Sequence, residues 1–331
     1  MLWIEKYRAS DLSGIIGQDA VTRTLSSFAA SGSVPHLILT GPHGTGKSMA
    51  AECFAKTLYG DDWELNTTVF PSADLFAQGK SFLEQDERYQ HIYQKSQSFI
   101  TNFKYIIKWY AALRPLNAEF KLMVFEDAHA LSRDAQQALR RTMERTSPTC
   151  RFVLTTTNPS AVIPAISSRC LPLFFGPIGQ DIMRRYLQDI MTREAPCSVP
   201  CTDDDLDLIV QAAGGDLRKG ILLLQAALES GRCQDLFLLS QSEAANIAAS
   251  AIIMIRDGDV RGAQRRLESL IIDYGMSATE VVSAIRTVIQ REYNHPALAV
   301  ALADTEHRLR HANNEFIQLG AFTSTIREVF S

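Results

Sequence analysis

Three short stretches have apolar interiors and stop at glycine, acid or asparagine, the third turning polar at its end. HLILT (36–40), KLMVF (121–125) and RFVLTTTN (151–158) have the length of strands and no polar face, the pattern of strands buried on both sides of a parallel sheet. The residues between them change period. MAAECFAKTLYG (49–60) places apolar residues at helical spacing and ends at a glycine, and RDAQQALRRTMER (133–145) is a helix with one polar face. Strands alternating with helices predict an α/β domain, a parallel sheet with helices on both faces. Residues 62–120 carry the aromatic, charged stretch SFLEQDERYQHIYQKSQSFITNFKYIIKWYAALRP, whose Phe, Tyr, Ile and Trp spacing predicts one or two amphipathic helices with the aromatics packed in the core.

After Pro177 the pattern is entirely helical, and FFGPIGQ (174–180) is the expected boundary. Residues 178–232 read as helices around the turn GGDLRKG, with EAPCSVPCTDDD (194–205) as a loop and Thr202 or an aspartate capping the helix that follows. A further helical block begins near residue 236. The expected division is 1–177, 178–235 and 236–331, which suits a chain of 331 residues.

Composition narrows the classes. With 46% hydrophobic and 21% charged residues the chain can bury a core without staples. The net charge of -4 means that any DNA contact must use a local basic patch or the pooled surface of an assembly. The six cysteines are scattered, and the close pair Cys197 and Cys201 has no second pair to complete a zinc set, which fits a reducing compartment. No apolar run reaches the roughly 18 residues needed to span a bilayer. The opening MLWIEKYRAS has no signal-peptide pattern, so the expected location is the cytoplasm, with no membrane partner.

The candidate chemistry lies directly after the first strand. Residues 41–48, GPHGTGKS, with Met49 entering the helix, satisfy G-x-x-x-x-G-K-[ST] in the strand-then-helix setting that gives this motif its meaning. Gly41, Gly44 and Gly46 permit a tight loop around Pro42, His43 and Thr45, whose backbone N–H groups and following helix N-terminus form an anion cradle. Lys47 would reach the β- and γ-phosphates of ATP, and Ser48 would offer a hydroxyl to Mg²⁺. Glu126-Asp127 follow the second strand. One carboxylate can hold Mg²⁺ (here Glu126) and the other can orient the attacking water, or the two can cap the next helix. Asn158 ends the third strand, where its amide could hold the attacking water or form a turn before Pro159.

Taken together these residues resemble the small subunits of replication factor C, a clamp loader of the AAA+ class, over nearly the whole chain. WIEKYRAS and IIGQD (3–10, 15–19), with Tyr7, Arg8 and Ile16, look like that family's adenine-pocket segment. DAQQALRRTME (134–144) is similar to the helix after its Walker B motif, TTTN (155–158) to sensor 1, SSRC (167–170) to its arginine-finger signature, GGDLRKGILLLQ (214–225) to sensor 2, and YGMSATEVV (274–282) to part of its collar. The resemblance implies an AAA+ domain, a helical lid and a helical collar that holds a pentameric hetero-oligomer of loader subunits. That ring would use ATP binding and hydrolysis to place a sliding clamp on primer–template DNA. Arg169 would reach the neighbouring subunit's γ-phosphate, a contribution on the order of 10³-fold or more to turnover, and Arg218 would contact phosphates in its own subunit. From the residues alone, Arg169 could equally cap a helix and Arg218 pair with Asp216. Arg133, Arg140, Arg141 and Arg145 could meet DNA phosphates or form a solvated or intersubunit face.

Three departures bear on function. Where the family reads Asp-Glu-Ala-Asp, this chain reads Glu126-Asp127-Ala128-His129, the acids exchanged in order. A misplacement near 1 Å can cost on the order of 10²-fold in rate, so ATP binding is expected to survive and hydrolysis to be slow. The family's Asn-Ala-Ser-Asp-Glu-Arg-Gly segment is missing after ELN (64–66), and Ala9 replaces a proline. Two alternatives follow: a largely non-hydrolysing scaffold that serves its neighbour with Arg169, or another AAA+ DNA remodeller.

Overall fold

The structure is a computed structural model that describes residues 1–115, 117–194, 202–230, 243–273, 276–293, 295–309, 312 and 314–330. It contains two compact units, Met1–Glu229 and Ser230–Ser331. The loop 195–201 with Cys197 and Cys201, and residues 231–242, lie outside the described residues, as do positions 274 and 275 of the collar-like stretch.

The first unit is built on five parallel strands, β1 (Leu37–Thr40), β2 (Thr67–Pro71), β3 (Lys121–Glu126), β4 (Cys150–Thr156) and β5 (Leu171–Phe174), in the order β2-β3-β4-β1-β5. The apolar runs of the sequence become β1, β3 and β4, the three central strands. Because side chains alternate across a sheet, those strands feed two separate cores. Ile38, Phe70, Met123, Phe125, Phe152 and Leu154 face one, under helices Phe99–Ala112 and Arg133–Thr146. Leu37, Leu39, Leu122, Val124, Val153 and Leu173 face the other, with Phe54 and Ala55 of helix Lys47–Tyr59 and Leu25 of helix Asp19–Ser31. The expected sheet with helices on both faces is present.

The stretch 62–120 holds more than the one or two helices expected. It contains a helical turn at Trp63–Asn66, the edge strand β2, and helices Ser72–Gln78, Lys80–Gln85, Glu87–Gln90 and Phe99–Ala112. Most of its aromatics pack into the core: Phe70, Tyr89 and Phe103 are buried, with Phe70 stacked on Phe125 at 4.8 Å between ring centres, whereas Tyr105 is exposed.

Helices Gln180–Glu194, Asp203–Ala213 and Leu217–Ser230 follow β5. Thr202 caps the second of them in a reciprocal capping box with Asp205. The described residues of the second unit form helices Glu243–Arg256, Val260–Ile272, Ala278–Glu292, Pro296–Leu309 and Glu315–Phe330 around a core that includes Ile252, Leu267, Ile285, Leu298 and Phe322.

Candidate functional site

Parallel strands end at one edge of a sheet, and ligands of open α/β sheets bind at that carboxyl edge. Here β3, β4 and β1 are consecutive neighbours, so the residues at and beyond their ends converge: Glu126 ending β3 and Asp127 after it, Asn158 after β4 and the loop 41–48 after β1.

The loop is fixed by close approaches that only glycine allows. Gly41 has φ +150°, and a β-carbon there would lie 2.1 Å from the Phe175 carbonyl oxygen, which belongs to the chain leaving β5. That backbone cannot retreat readily, because Phe175 N–H donates to Thr40 O at 2.7 Å and the Phe175 side chain is fully buried. Thr45 Oγ donates to Pro42 O at 2.9 Å and braces the turn. Helix Lys47–Tyr59 begins at Gly46, whose carbonyl accepts from Ala50 N–H at 2.8 Å. The N–H groups of Lys47, Ser48 and Met49 therefore have no acceptor within their own helix and would present the positive end of its dipole to an anion.

Lys47 is buried within this loop, and its Nζ donates to Gly41 O at 2.8 Å and Pro42 O at 2.5 Å. Burial holds its ammonium below the ordinary lysine value; Asp127 and Asp216 oppose that shift and Arg218 reinforces it. The same interactions place Asp127 and Arg218 within the field of Lys47, and they add Asp216, which the sequence offered only as a partner for Arg218.

The acids differ in backbone. Glu126 is the last residue of β3, while Asp127 is left-handed at φ +50° and ψ +48°. A left-handed non-glycine residue costs free energy and clusters at functional sites. Asp127 N–H donates to Thr155 Oγ at 3.3 Å, and His129 Nδ1 lies 3.3 Å from Thr156 Oγ. Thr156 Oγ also accepts from Asn158 N–H at 3.1 Å, and Asn158 Oδ1 accepts from Ser160 Oγ at 2.6 Å. The β4 terminus is thus wired to the acids' turn and to Asn158 through Thr155 and Thr156, the threonines of the sensor-1-like TTTN.

Asp216 and Gln18 tie the loop to the segments around it. A β-carbon at Gly44 would meet Asp216 Oδ1 at 1.7 Å, Leu217 N–H donates to Gly44 O at 3.2 Å, and Asp216 Oδ1 caps the next helix by accepting from Lys219 N–H at 2.9 Å. Asp216 therefore serves the loop and the helix start, and the expected alternative partner for Arg218 is engaged elsewhere. Gln18 is buried and donates through Nε2 to Gly176 O at 2.8 Å and Thr45 O at 3.5 Å. Of the adenine-pocket candidates, Tyr7 donates its hydroxyl to Glu194 and Arg8 pairs with Glu52 of the loop's own helix. Loss of hydration and the Glu194 carboxylate push the Tyr7 phenol up to about 12. Ile15, the neighbour of Ile16, is the isoleucine that lies against Gly46.

Arg169 is elsewhere. It precedes β5, and the register Leu37↔Leu171 puts it beside the start of β1, whereas the phosphate loop follows the end of β1. At about 3.3 Å per residue the four-residue strand separates the two by about 13 Å of sheet, so Arg169 and its own loop occupy opposite edges. Its Nη1 donates to Ala165 O at 2.6 Å, the contact expected of a helix-capping arginine, and its Nη2 pairs with Glu144 at 2.6 Å.

The glycine conformations, the free helix N-terminus and the buried Lys47 together fit a nucleotide polyphosphate, and Ser48 with Glu126 are the residues that would hold its Mg²⁺. Among the described residues there is no cluster of three or more His, Cys, Asp or Glu suited to another metal, and no helix long and apolar enough to cross a membrane.

Comparison with known proteins bears on the family and the fold. Residues 17–179 match the family model of the DNA polymerase III delta subunit, and residues 245–325 that of the replication factor C C-terminal domain. The chain is 33% identical to the replication factor C small subunit of Picrophilus torridus, over 100% of this chain and 98% of that one. It is 32% identical to that of Archaeoglobus fulgidus, over 97% and 95%. Among solved structures, a point mutant of Thermotoga maritima RuvB superposes with a TM-score of 0.52 at 17% identity, covering 86% of this chain and 91% of that one. A second point mutant of the same protein gives 0.51 at 15%, covering 89% and 92%. Those two likenesses speak to the fold alone.

Proposed function

Because the chain belongs to the replication factor C small-subunit family, we propose that it works as one ATPase subunit of a hetero-oligomeric, pentameric clamp loader that places a sliding clamp on primer–template DNA in the cytoplasm. The observation that carries this reading is the division of the phosphate machinery between two edges of one sheet. Lys47, Glu126, Asp127 and Asn158 meet at the carboxyl edge, while Arg169 stands at the other. An arginine there is out of reach of its own loop, which supports a role toward an adjoining subunit, and this subunit's own site then depends on a neighbour for the same group.

In this reading Lys47 and the loop N–H groups hold the β- and γ-phosphates, and Ser48 and Glu126 hold Mg²⁺, which supplies charge neutralisation at the phosphates. Asp127 and Asn158 orient the attacking water. Asp216 and Leu217 carry nucleotide state from the loop to the helical lid, which spans residues 178–235, and Arg218 joins the same contact. The collar, residues 236–331, holds the ring. Arg140, Arg141 and Arg145 share one helix and can meet DNA phosphates without reading bases.

The order Glu126-Asp127 favours a second reading for this subunit's own site, in which it binds ATP, turns it over slowly and contributes mainly Arg169 and architecture. ATP turnover by the chain assembled with its partners, with and without primer–template DNA and against Lys47→Ala, decides between them. DNA-stimulated turnover above the Lys47→Ala level makes this a catalytic subunit. Equality with Lys47→Ala makes it a serving subunit. Absence of nucleotide binding to the wild-type chain refutes both.

A further inference from the structure

Glu144 ends the third turn of helix Arg133–Thr146, and its Oε1 lies between two guanidinium groups, 2.6 Å from Arg169 Nη2 and 3.9 Å from Arg140 Nε. Arg140 sits one turn earlier on the same helix, and its Nε is buried with no hydrogen-bond partner. Arg169 is gripped a second time, through Nη1 to Ala165 O at 2.6 Å. Both terminal nitrogens of this guanidinium are therefore fixed by its own chain, from two different elements.

Stability does not explain the arrangement. The side chains of Arg169 and Glu144 are 38% and 42% exposed, and an ion pair that open to solvent contributes little to folding. Direction does explain it. Arginine has many rotamers, and a planar guanidinium helps in phosphoryl transfer only when it arrives in the right plane and at the right depth. Two acceptors, one on each terminal nitrogen, restrict that freedom and leave the remaining N–H groups for an outside acceptor.

We propose that Glu144 is the positioning residue for Arg169, holding the guanidinium preset for the γ-phosphate bound by the adjoining subunit. This rests on the reading of Arg169 as a group that acts in trans. Glu144 touches neither nucleotide nor reacting atoms; it acts through Arg169, and its place on the arginine-rich helix makes the setting of Arg169 sensitive to whatever that helix binds.

The test uses the assembled loader with its clamp and primer–template DNA, with Lys47→Ala in this chain and the equivalent lysine replaced in each partner whose site Arg169 does not serve, so that the turnover read is that of the site Arg169 serves. Glu144→Gln should lower kcat about 10- to 100-fold, the scale of a misplacement near 1 Å, with KM for ATP, assembly and thermal midpoint unchanged. Arg169→Ala should lower it further, on the order of 10³-fold, and the double variant should match Arg169→Ala alone. Glu144→Asp, which keeps the charge, should recover part of the loss. If Arg169→Ala lowers turnover and Glu144→Gln leaves it unchanged or raises it, Glu144 does not position the arginine and the proposal falls while the trans reading stands. If Arg169→Ala leaves turnover at the wild-type level, the trans reading itself falls. A Glu144→Gln effect that persists in full on the Arg169→Ala background means that Glu144 acts by another route and also overturns the proposal.

Discussion

Asp127→Gly separates the chemistry of the second acid from its structural cost. Asp127 adopts φ +50°, where an L-residue pays about 1–2 kcal/mol relative to the right-handed region, although Asp is among the residues that bear this best. Glycine adopts the same angles without that cost but loses about 0.5–1 kcal/mol more chain entropy on folding. The hydrogen bond from residue 127 to Thr155 Oγ uses the backbone N–H and survives the change. The balance lies between zero and about 1 kcal/mol in favour of the variant, and in a unit of this size 1 kcal/mol moves the midpoint by about 2–4 °C. The expected result is a thermal midpoint unchanged or a few degrees higher, together with ATP turnover in the assembled loader reduced to the Lys47→Ala level. Asp127→Asn, which also tolerates the left-handed region but carries no charge, should lose turnover equally. A midpoint lowered by more than about 4 °C would show that the carboxylate holds the fold. Wild-type turnover in both variants would show that it is not the water-orienting group.

Three further outcomes are expected. Gly41→Ala combines a left-handed backbone with a β-carbon 2.1 Å from Phe175 O, and should cost at least about 2 kcal/mol in a denaturant titration; an unchanged midpoint would mean that the loop relaxes freely. His36 is pushed down to about 4, first by burial and then by Arg151, and its Nδ1 accepts from Phe152 N–H at 3.2 Å, so it is neutral in the folded chain. The unfolded chain binds that proton near pH 6.5, so stability should fall as pH drops from 6.5 towards 4, by about 2 kcal/mol after allowance for solvent screening. His36→Gln should flatten that part of the stability–pH curve, and identical curves refute the assignment. Thr202→Ala removes one half of the capping box and should cost about 0.5–2 kcal/mol without changing nucleotide affinity, a combination that calorimetry and a nucleotide titration read directly.

The central strands were legible because burial on both faces demands an apolar interior: LIL in β1, LMVF in β3 and FVL in β4. The edge strands were not. In β2, TTVFP, every second residue is only half buried, and in β5, LPLF, a single residue is buried, so neither carries a run that periodicity can detect. The phosphate loop was legible for the opposite reason to most sites, since its glycines, lysine and serine are contiguous. Gln18 reaches Gly176 across 158 positions, and Asp216 reaches Gly44 across a comparable gap, with no local pattern to mark either. Arg169 could be named from SSRC, but its ion pair with Glu144 needed the helix and the strand edge to be placed together.

The backbone also bears on the exchanged acids. Position 126 is the end of an extended strand, where any side chain fits, whereas position 127 is left-handed, where the short side chain of Asp is better tolerated than the longer one of Glu. The order Glu-Asp therefore matches the backbone that carries it, and any catalytic cost of the order is separate from the fold. The double variant Glu126→Asp/Asp127→Glu tests both halves. It should lower stability by about 0.5–1 kcal/mol, because glutamate bears the left-handed region less well, and it should raise turnover at this subunit's own site, because the longer acid then stands where the water is oriented and the shorter where the metal is held. Lower stability with no gain in turnover would place the limit outside the acid pair, in the supply of an arginine from the adjoining subunit. A gain in turnover with no loss of stability would mean that the left-handed turn at 127 is set by the chain around it and not by the residue it holds.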